Sequence, residues 1–171
     1  MRKYALLIIG LWVSMFGFAG NQPIDPVIKK LNQLLEEESF LELKTELQKL
    51  PRSFSYNKYL YYDAFCFSAF AQYTQSIVAI NKLLAQPSNG LSNHEIVHLL
   101  DQQGLNYNNT FQYHLAAQVY MTLLDEFSPI FSKSKLNDYK NLFNKNYTLA
   151  EAQVGKQKMH ITKDTTIPIY N

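Results

Sequence analysis

Apolar residues recur with helical spacing along most of the chain and predict about seven α-helices. The first helix opens at Asp25-Pro26, where a capping residue is followed by proline in the first turn. Proline, glycine and asparagine mark the breaks between the later helices. These helices are expected over residues 40–50, 56–71, 74–85, 92–107, 111–127 and 134–153. The pattern therefore predicts an all-α fold of antiparallel helix pairs.

Two four-residue segments have the spacing of a capping box, in which a Ser and a Glu side chain satisfy each other's backbone amides. They are Ser39-Phe40-Leu41-Glu42 and Ser92-Asn93-His94-Glu95. Each precedes an apolar run with helical period. Both therefore predict the first turn of a helix.

The character of the sequence changes after Gly155, which is expected to end the last helix. Ile and Thr are frequent beyond it and favour an extended backbone, which Pro168 restricts to an edge strand or a bare extension. The predicted organisation is a helical repeat domain over residues 22–155, followed by a short extended tail or strand over residues 156–171.

Two of the helix pairs repeat each other in the sequence, and every matched position is separated from its equivalent by the same offset. Leu60, Ala64, Phe67, Ser76, Ile80 and Leu83 are matched in kind by Leu100, Gly104, Tyr107, Ala116, Tyr120 and Leu123. The small members of this internal repeat allow the paired helices to approach closely, and the aromatic members fill the space beside that contact. A fixed period of this size predicts stacked helix pairs, each too small to bury its own apolar face. The alternative is an irregular helical bundle.

The small and aromatic positions of the internal repeat resemble those of the tetratricopeptide repeat, over about Tyr56 to Pro129. The period is longer than that of the family, which is about 34 residues. Leu60 and Leu100 also replace the family's usual aromatic residue. The helices over residues 26–50 and 134–153 would then be degenerate flanking units. The resemblance implies a module that binds a protein or peptide. If the pairs stack in this way, their first helices line a concave groove, and the side chains expected to face it are Lys58, Tyr61, His98, Asp101 and Asn108.

Residues 1–19 have the layout of a secretory signal peptide. Met1-Arg2-Lys3 precedes an apolar run from Tyr4 to Phe18, and cleavage is expected after Ala19. The alternative is a membrane anchor, for which this run is somewhat short. The sequence thus predicts an exported protein, periplasmic or extracellular, without a stable membrane anchor once the signal is removed.

The charge of the chain bears on which partners it can bind, and its cysteine content bears on how the fold is stabilised. Removal of Arg2 and Lys3 with the signal leaves 14 basic against 14 acidic residues, and the lysines form no basic stripe. Nucleic acid is therefore not expected as a partner. Cys66 is the only cysteine and lies between two phenylalanines, which predicts a buried thiol and no disulfide within the chain.

His94-Glu95-Ile96-Val97-His98 matches the H-E-x-x-H signature of zinc metallopeptidases. On a helix His94 and His98 share one face, and Glu95 would act as the base for a zinc-bound water. Glu95, however, is also the expected capping partner of Ser92, and the sequence indicates no third ligand. We therefore expect a capped helix with exposed histidines and no cofactor, with the zinc metallopeptidase as the alternative.

Residues 161–171 resemble a segment found in some exported bacterial proteins, where a strand of this kind leads from a helical region into a retropepsin-like aspartic protease domain. This resemblance implies that the chain is the helical N-terminal portion of an exported aspartic protease, without its catalytic part. The two leading expectations are thus a non-catalytic binding module and that portion of a larger enzyme. No catalytic residue is assigned to the chain itself.

Overall fold

A computed structural model describes residues 25–86 and 90–164, with side chains as far as residue 155. Over these residues the chain forms seven α-helices, one 3₁₀ turn and no strand, which confirms the all-α prediction. The helices are α1 (Pro26–Glu36), α2 (Phe40–Lys49), α3 (Tyr56–Ala69), α4 (Tyr73–Leu84), α5 (Asn93–Asn109), α6 (Tyr113–Glu126) and α7 (Lys133–Asp164). The 3₁₀ turn Ser128–Ile130 precedes α7. The predicted signal peptide lies outside the described residues.

Each helix packs against the next one along the chain, and the first helices of successive pairs also touch. Helix α3 contacts both α1 and α5, while the second helices α2, α4 and α6 pack on their own partners and on the following helix. This is a helical repeat arrangement of three pairs, closed at its C-terminal end by α7. The first helices therefore lie side by side on one layer of the fold.

The turns inside the three pairs are built alike. Glu38, Ala71 and Phe111 each adopt a positive φ, between 53° and 59°. In each turn the next residue donates its backbone amide to a carbonyl of the last helical turn, as in a Schellman motif. These bonds join Ser39 to Leu34 (2.9 Å), Gln72 to Phe67 (2.8 Å) and Gln112 to Tyr107 (2.8 Å). The pair α1–α2, expected from the sequence only as a degenerate flanking unit, is therefore a third unit of the same kind.

A glycine at Ala71 is expected to stabilise the protein. The left-handed conformation costs a residue with a Cβ about 1–2 kcal/mol, although the freer unfolded chain of glycine offsets part of the gain. Ala71→Gly should therefore raise the free energy of unfolding by about 0.5–1 kcal/mol, measured by urea denaturation. Ala69→Gly, an exposed substitution in the last turn of α3, is the control and should lower it by about 0.5–1 kcal/mol. If both variants lower the free energy of unfolding equally, the conformation of Ala71 is not strained.

The matched positions of the internal repeat are buried to similar degrees in the two pairs. Leu60 and Leu100 are both 8% exposed, and Ser76 and Ala116, the small residues of the second helices, are both fully buried. Ser76 donates its hydroxyl to the carbonyl of Ala64 over 2.6 Å, which links the two helices of that pair. The repeat therefore identified the internal contacts of each pair.

Cys66 is fully buried, as its apolar neighbours predicted. Its thiol lies 3.7 Å from the carbonyl oxygen of Phe40, to which it donates, and burial raises its pKa to about 12. The thiol is therefore protonated at neutral pH and contributes to the packing of α3 against α2.

Of the two capping boxes predicted from the sequence, the structure contains one. At α5 the box is present, with Ser92 accepting from the Glu95 amide and Glu95 accepting from the Ser92 amide. At α2 it is absent, and Ser39 makes no side-chain capping bond. The reason is the preceding turn, which already uses the Ser39 amide as a donor to Leu34. Glu42 consequently has no free amide to accept from.

The last helix does not end at Gly155. Helix α7 continues through this residue to Asp164, so residues 156–164 are helical where an extended tail was expected. Strong helix formers surround Gly155, among them Ala150, Ala152 and Lys156. They offset the cost of a helical glycine, which is about 1 kcal/mol. The expected strand over residues 165–171 lies outside the described part of the chain.

Candidate functional site

The first helices of the three pairs line a groove with a cavity volume of about 510 Å³. Helices α1, α3 and α5 supply most of its wall, and the N-terminal side of α2 closes one end. Its apolar lining consists of Ile28, Leu35, Phe40 and Phe65. Its polar lining consists of Asn32, Glu36, Glu38, Lys58, Tyr61, Ser92, His94, Glu95, His98 and Gln102. The groove thus combines apolar patches with several hydrogen-bonding and charged groups.

A smaller cavity of about 320 Å³ lies next to this groove. His94 and His98 line both cavities, so the histidine pair forms the wall between them. The other side of the smaller cavity is formed by the 3₁₀ turn and α7, including Lys135 and Tyr139. Lys135 reaches across to α5 and pairs with Asp101 over 3.4 Å.

The structure brings together four of the five groove residues predicted from the sequence. Lys58, Tyr61 and His98 line the larger cavity, and His98 and Asp101 line the smaller one. Asn108 lines neither. It lies in the last turn of α5, where its carbonyl accepts from the Phe111 amide over 3.0 Å.

Tyr61 is the most deeply placed polar residue of the groove and is only 3% exposed. Its ring stands edge-on to Tyr62 and Phe65, with ring centres 5.1 and 5.2 Å away. Burial, and then the nearby Glu95 carboxylate, raise the pKa of the Tyr61 hydroxyl well above its ordinary value. The hydroxyl therefore keeps its proton as a donor. No hydrogen bond joins it to another described residue, and it is not among the buried side-chain atoms without a partner, which belong to Tyr120, Tyr139 and Asn146. The ring is therefore buried while the hydroxyl reaches the groove, where water or a ligand can accept its proton.

Lys58 and Glu95 form an ion pair across the groove, with 2.5 Å between Nζ and Oε1. The second carboxylate oxygen of Glu95 accepts from the Ser92 amide and hydroxyl, both at 2.9 Å. Partial burial alone would raise the pKa of Glu95, but the bonds from Lys58 and Ser92 lower it overall. Glu95 is thus ionised at neutral pH and neutralises the charge of Lys58.

The imidazoles of His94 and His98 lie on one face of α5, with ring centres 4.2 Å apart. Partial removal from water, and then the proximity of His94, lower the pKa of His98, so its ring is neutral at pH 7. In the part of the chain that the structure describes, no group of three His, Cys, Asp or Glu side chains could hold a metal ion. The H-E-x-x-H segment thus offers two ligands, where catalytic zinc needs three from the protein.

One further cavity, of about 640 Å³, was not anticipated from the sequence. It lies on α3 and α4 and is lined mainly by Tyr56, Leu60, Phe67 and Val78. The signal that could have revealed it is Ala79, which also lines the cavity and stands where the next pair has the larger Val119. A smaller side chain at that position leaves the surface between the two helices open.

Comparison of the chain with protein-family models, with curated proteins and with solved structures finds no match. Over the described residues, no helix combines the length and apolar character needed to cross a membrane. A function is therefore inferred from the groove itself.

Proposed function

We propose that this protein binds an extended segment of another protein in the groove across α1, α3 and α5. The observation that carries the proposal is the groove itself, about 510 Å³ in volume and lined by apolar side chains interspersed with hydrogen-bonding groups. Binding sites of this size are typically apolar with a few polar groups that fix orientation. Because three helices line the groove, the groove can contact several residues of an extended peptide.

The repeat arrangement supports the same function. Stacked helix pairs present their first helices on one surface, and such surfaces serve as extended binding faces in helical repeat proteins. The resemblance of residues 56–129 to the tetratricopeptide repeat agrees with this. The basic start, apolar run and small residues of segment 1–19 support an exported location, so we place the partner outside the cytoplasm.

We prefer the binding module to the two enzymatic alternatives. A zinc peptidase would need Glu95 as a base, but that carboxylate is held by Lys58 and Ser92. The alternative that the chain is the N-terminal portion of an aspartic protease rests on a strand-like segment over residues 161–171. Residues 161–164 of that segment are helical. Neither alternative gains support from the site.

A bulky substitution in the wall between the two cavities is expected to block binding. Peptides selected from a phage-displayed library on the folded protein should bind His98→Trp at least tenfold more weakly than the unmodified chain, because the indole occupies the groove. The measurement is fluorescence anisotropy with labelled peptides, and circular dichroism checks the fold. His114→Trp is the matched control, an exposed histidine on α6 that lines neither cavity.

Two results would oppose the proposal. If the library yields no peptide that binds the folded protein, the groove has no peptide-binding function. If the selected peptides bind His98→Trp and His114→Trp equally well, they occupy another surface.

A further inference from the structure

We infer that the groove selects a cationic segment, one that places a Lys or Arg side chain next to apolar residues. This inference rests on the proposed peptide-binding function and adds the chemistry of the partner. It follows from the distribution of charge in the groove, from the apolar surface beside that charge, and from the unpaired hydroxyl of Tyr61.

The charge of the groove is unbalanced toward the acidic side. Three carboxylates line it, from Glu36, Glu38 and Glu95, against the single ammonium of Lys58. Lys58 is neutralised by Glu95, and the ring of His98 is neutral at pH 7. The carboxylates of Glu36 and Glu38 have no side-chain partner among the described residues and are exposed. Two negative charges therefore remain for a ligand to meet.

The backbone that carries these two carboxylates is held in place at one end of the groove. Glu36 is the last residue of α1, and Glu38 is held in the turn by its amide, which donates to the Leu35 carbonyl over 3.1 Å. Because the backbone is already ordered, a cation gains their attraction without the cost of ordering a loop. A guanidinium or ammonium group can make charge-assisted hydrogen bonds there.

The surface next to Glu36 and Glu38 is apolar. Leu35 and Phe40 flank them and are partly buried, and Phe65 lies further along the groove. Lys and Arg side chains combine a charged head with an aliphatic stem that packs on such a surface. An acidic ligand would instead bring like charges together without compensation, which opposes binding.

Tyr61 supplies the contact to the backbone of the ligand. Its hydroxyl keeps its proton, has no partner among the described residues, and belongs to a residue that lines the groove while being almost fully buried. An extended peptide offers a carbonyl oxygen at every residue, so this hydroxyl can donate one hydrogen bond to it. The backbone contact would be the same for any sequence, and the carboxylates would provide the selection.

The test uses two fluorescein-labelled octapeptides, one alternating Lys with Leu and one alternating Glu with Leu. Fluorescence anisotropy is recorded at pH 7.5 in about 0.15 M salt, where surface charges are screened over about 8 Å. We expect the Lys-Leu peptide to bind at least tenfold more tightly than the Glu-Leu peptide. Glu36→Lys combined with Glu38→Lys should reverse this preference.

Two controls separate the groove from the general charge of the protein. Glu37→Lys combined with Glu42→Lys changes the net charge equally at neighbouring exposed residues that do not line the groove, and the preference for Lys-Leu should remain. Tyr61→Phe should weaken binding of the Lys-Leu peptide about fivefold, as expected for one hydrogen bond of about 1 kcal/mol. Its melting temperature should not change, because the hydroxyl has no partner to lose.

The outcomes distinguish this inference from the proposed function. If both peptides bind equally and His98→Trp blocks both, the groove binds peptides but the cationic selection is wrong. If the two double variants shift the preference alike, the selection comes from net charge and not from Glu36 and Glu38. If neither peptide binds and the library yields none, the proposed function itself fails.

Discussion

Gly104→Ala is expected to lower the free energy of unfolding by about 2 kcal/mol, although alanine is the better helix former. A Cβ built on Gly104 would stand 2.7 Å from Cζ of Tyr120 and 3.0 Å from its hydroxyl oxygen. The tyrosine ring cannot move aside easily, because it is fully buried and stacks on Tyr139 with ring centres 6.2 Å apart. Urea denaturation monitored by circular dichroism gives the value.

The internal repeat supplies a rescue for this variant. The equivalents of Gly104 and Tyr120 in the preceding pair are Ala64 and Ile80, both fully buried, so a Cβ at this position is compatible with the smaller partner. Tyr120→Ile alone leaves a cavity and should cost about 2–4 kcal/mol. In that background Gly104→Ala should become stabilising by about 0.5–1 kcal/mol, since only its helix propensity remains.

Gly155→Ala is the control for helix propensity without a clash. Gly155 lies inside α7, and a Cβ there would meet nothing within 4 Å. This substitution should stabilise the protein by about 0.5–1 kcal/mol. If Gly104→Ala has the same effect in the presence and absence of Tyr120, the close contact between α5 and α6 is not what requires glycine.

The same pair of residues shows why the internal contacts of the helix pairs could be predicted from the sequence. A small residue and its large neighbour on the facing helix recur at one spacing, so the repeat reports a contact and not merely a helix. The first pair was expected only as a degenerate flanking unit, because the spacing of the turns is not constant. Its turn at Glu38 lies closer in sequence to Ala71 than Ala71 lies to Phe111. Because the turns are separated by two different intervals, a search for one fixed period does not detect the geometry that all three share.

The turns show a further limit of the sequence. In a sequence, a residue with positive φ is usually indicated by glycine, which has no Cβ to clash. Here the three positions are Glu38, Ala71 and Phe111, and none of these residue types signals a left-handed turn. Only the hydrogen bonds of the folded chain reveal them. For the same reason the failed capping box at Ser39 could not be distinguished from the real one at Ser92.

The groove was predicted in part. Lys58, Tyr61 and His98 were found because the stacking of first helices places them on one surface, and the structure brings them together. Glu36 and Glu38 were missed because the pair α1–α2 was expected only as a degenerate flanking unit, to which no groove residue was assigned. The side on which a cation is expected to bind therefore depends on a unit that the repeat pattern did not include.

Asn106→Ala is expected to cost about 3 kcal/mol, more than a typical single substitution. Asn106 is fully buried on α5 and bonds to two serines of the preceding pair. Its Oδ1 accepts from Ser68 over 2.6 Å on α3, and its Nδ2 donates to Ser76 over 2.8 Å on α4. Removal of the amide breaks both bonds and leaves a cavity between the pairs. Chemical denaturation should show a lower midpoint with an unchanged slope.

Ser76→Ala tests whether these groups act as one network. Its hydroxyl accepts from Asn106 and donates to the Ala64 carbonyl, so it links the contact within one pair to the contact between pairs. In the unmodified chain Ser76→Ala should cost about 1–2 kcal/mol, because it leaves buried groups unpaired. In the Asn106→Ala background it should cost about 1 kcal/mol less, since one of its two bonds is already lost.

The exposed Asn109, one turn further along α5, provides the control for the Asn106 series. Asn109→Ala should change the free energy of unfolding by less than about 0.5 kcal/mol. If Asn106→Ala costs no more than this, or if the Asn106 and Ser76 effects simply add, the polar network does not hold the pairs together. In that case the apolar contacts alone set the spacing of α3 and α5, which form two walls of the groove.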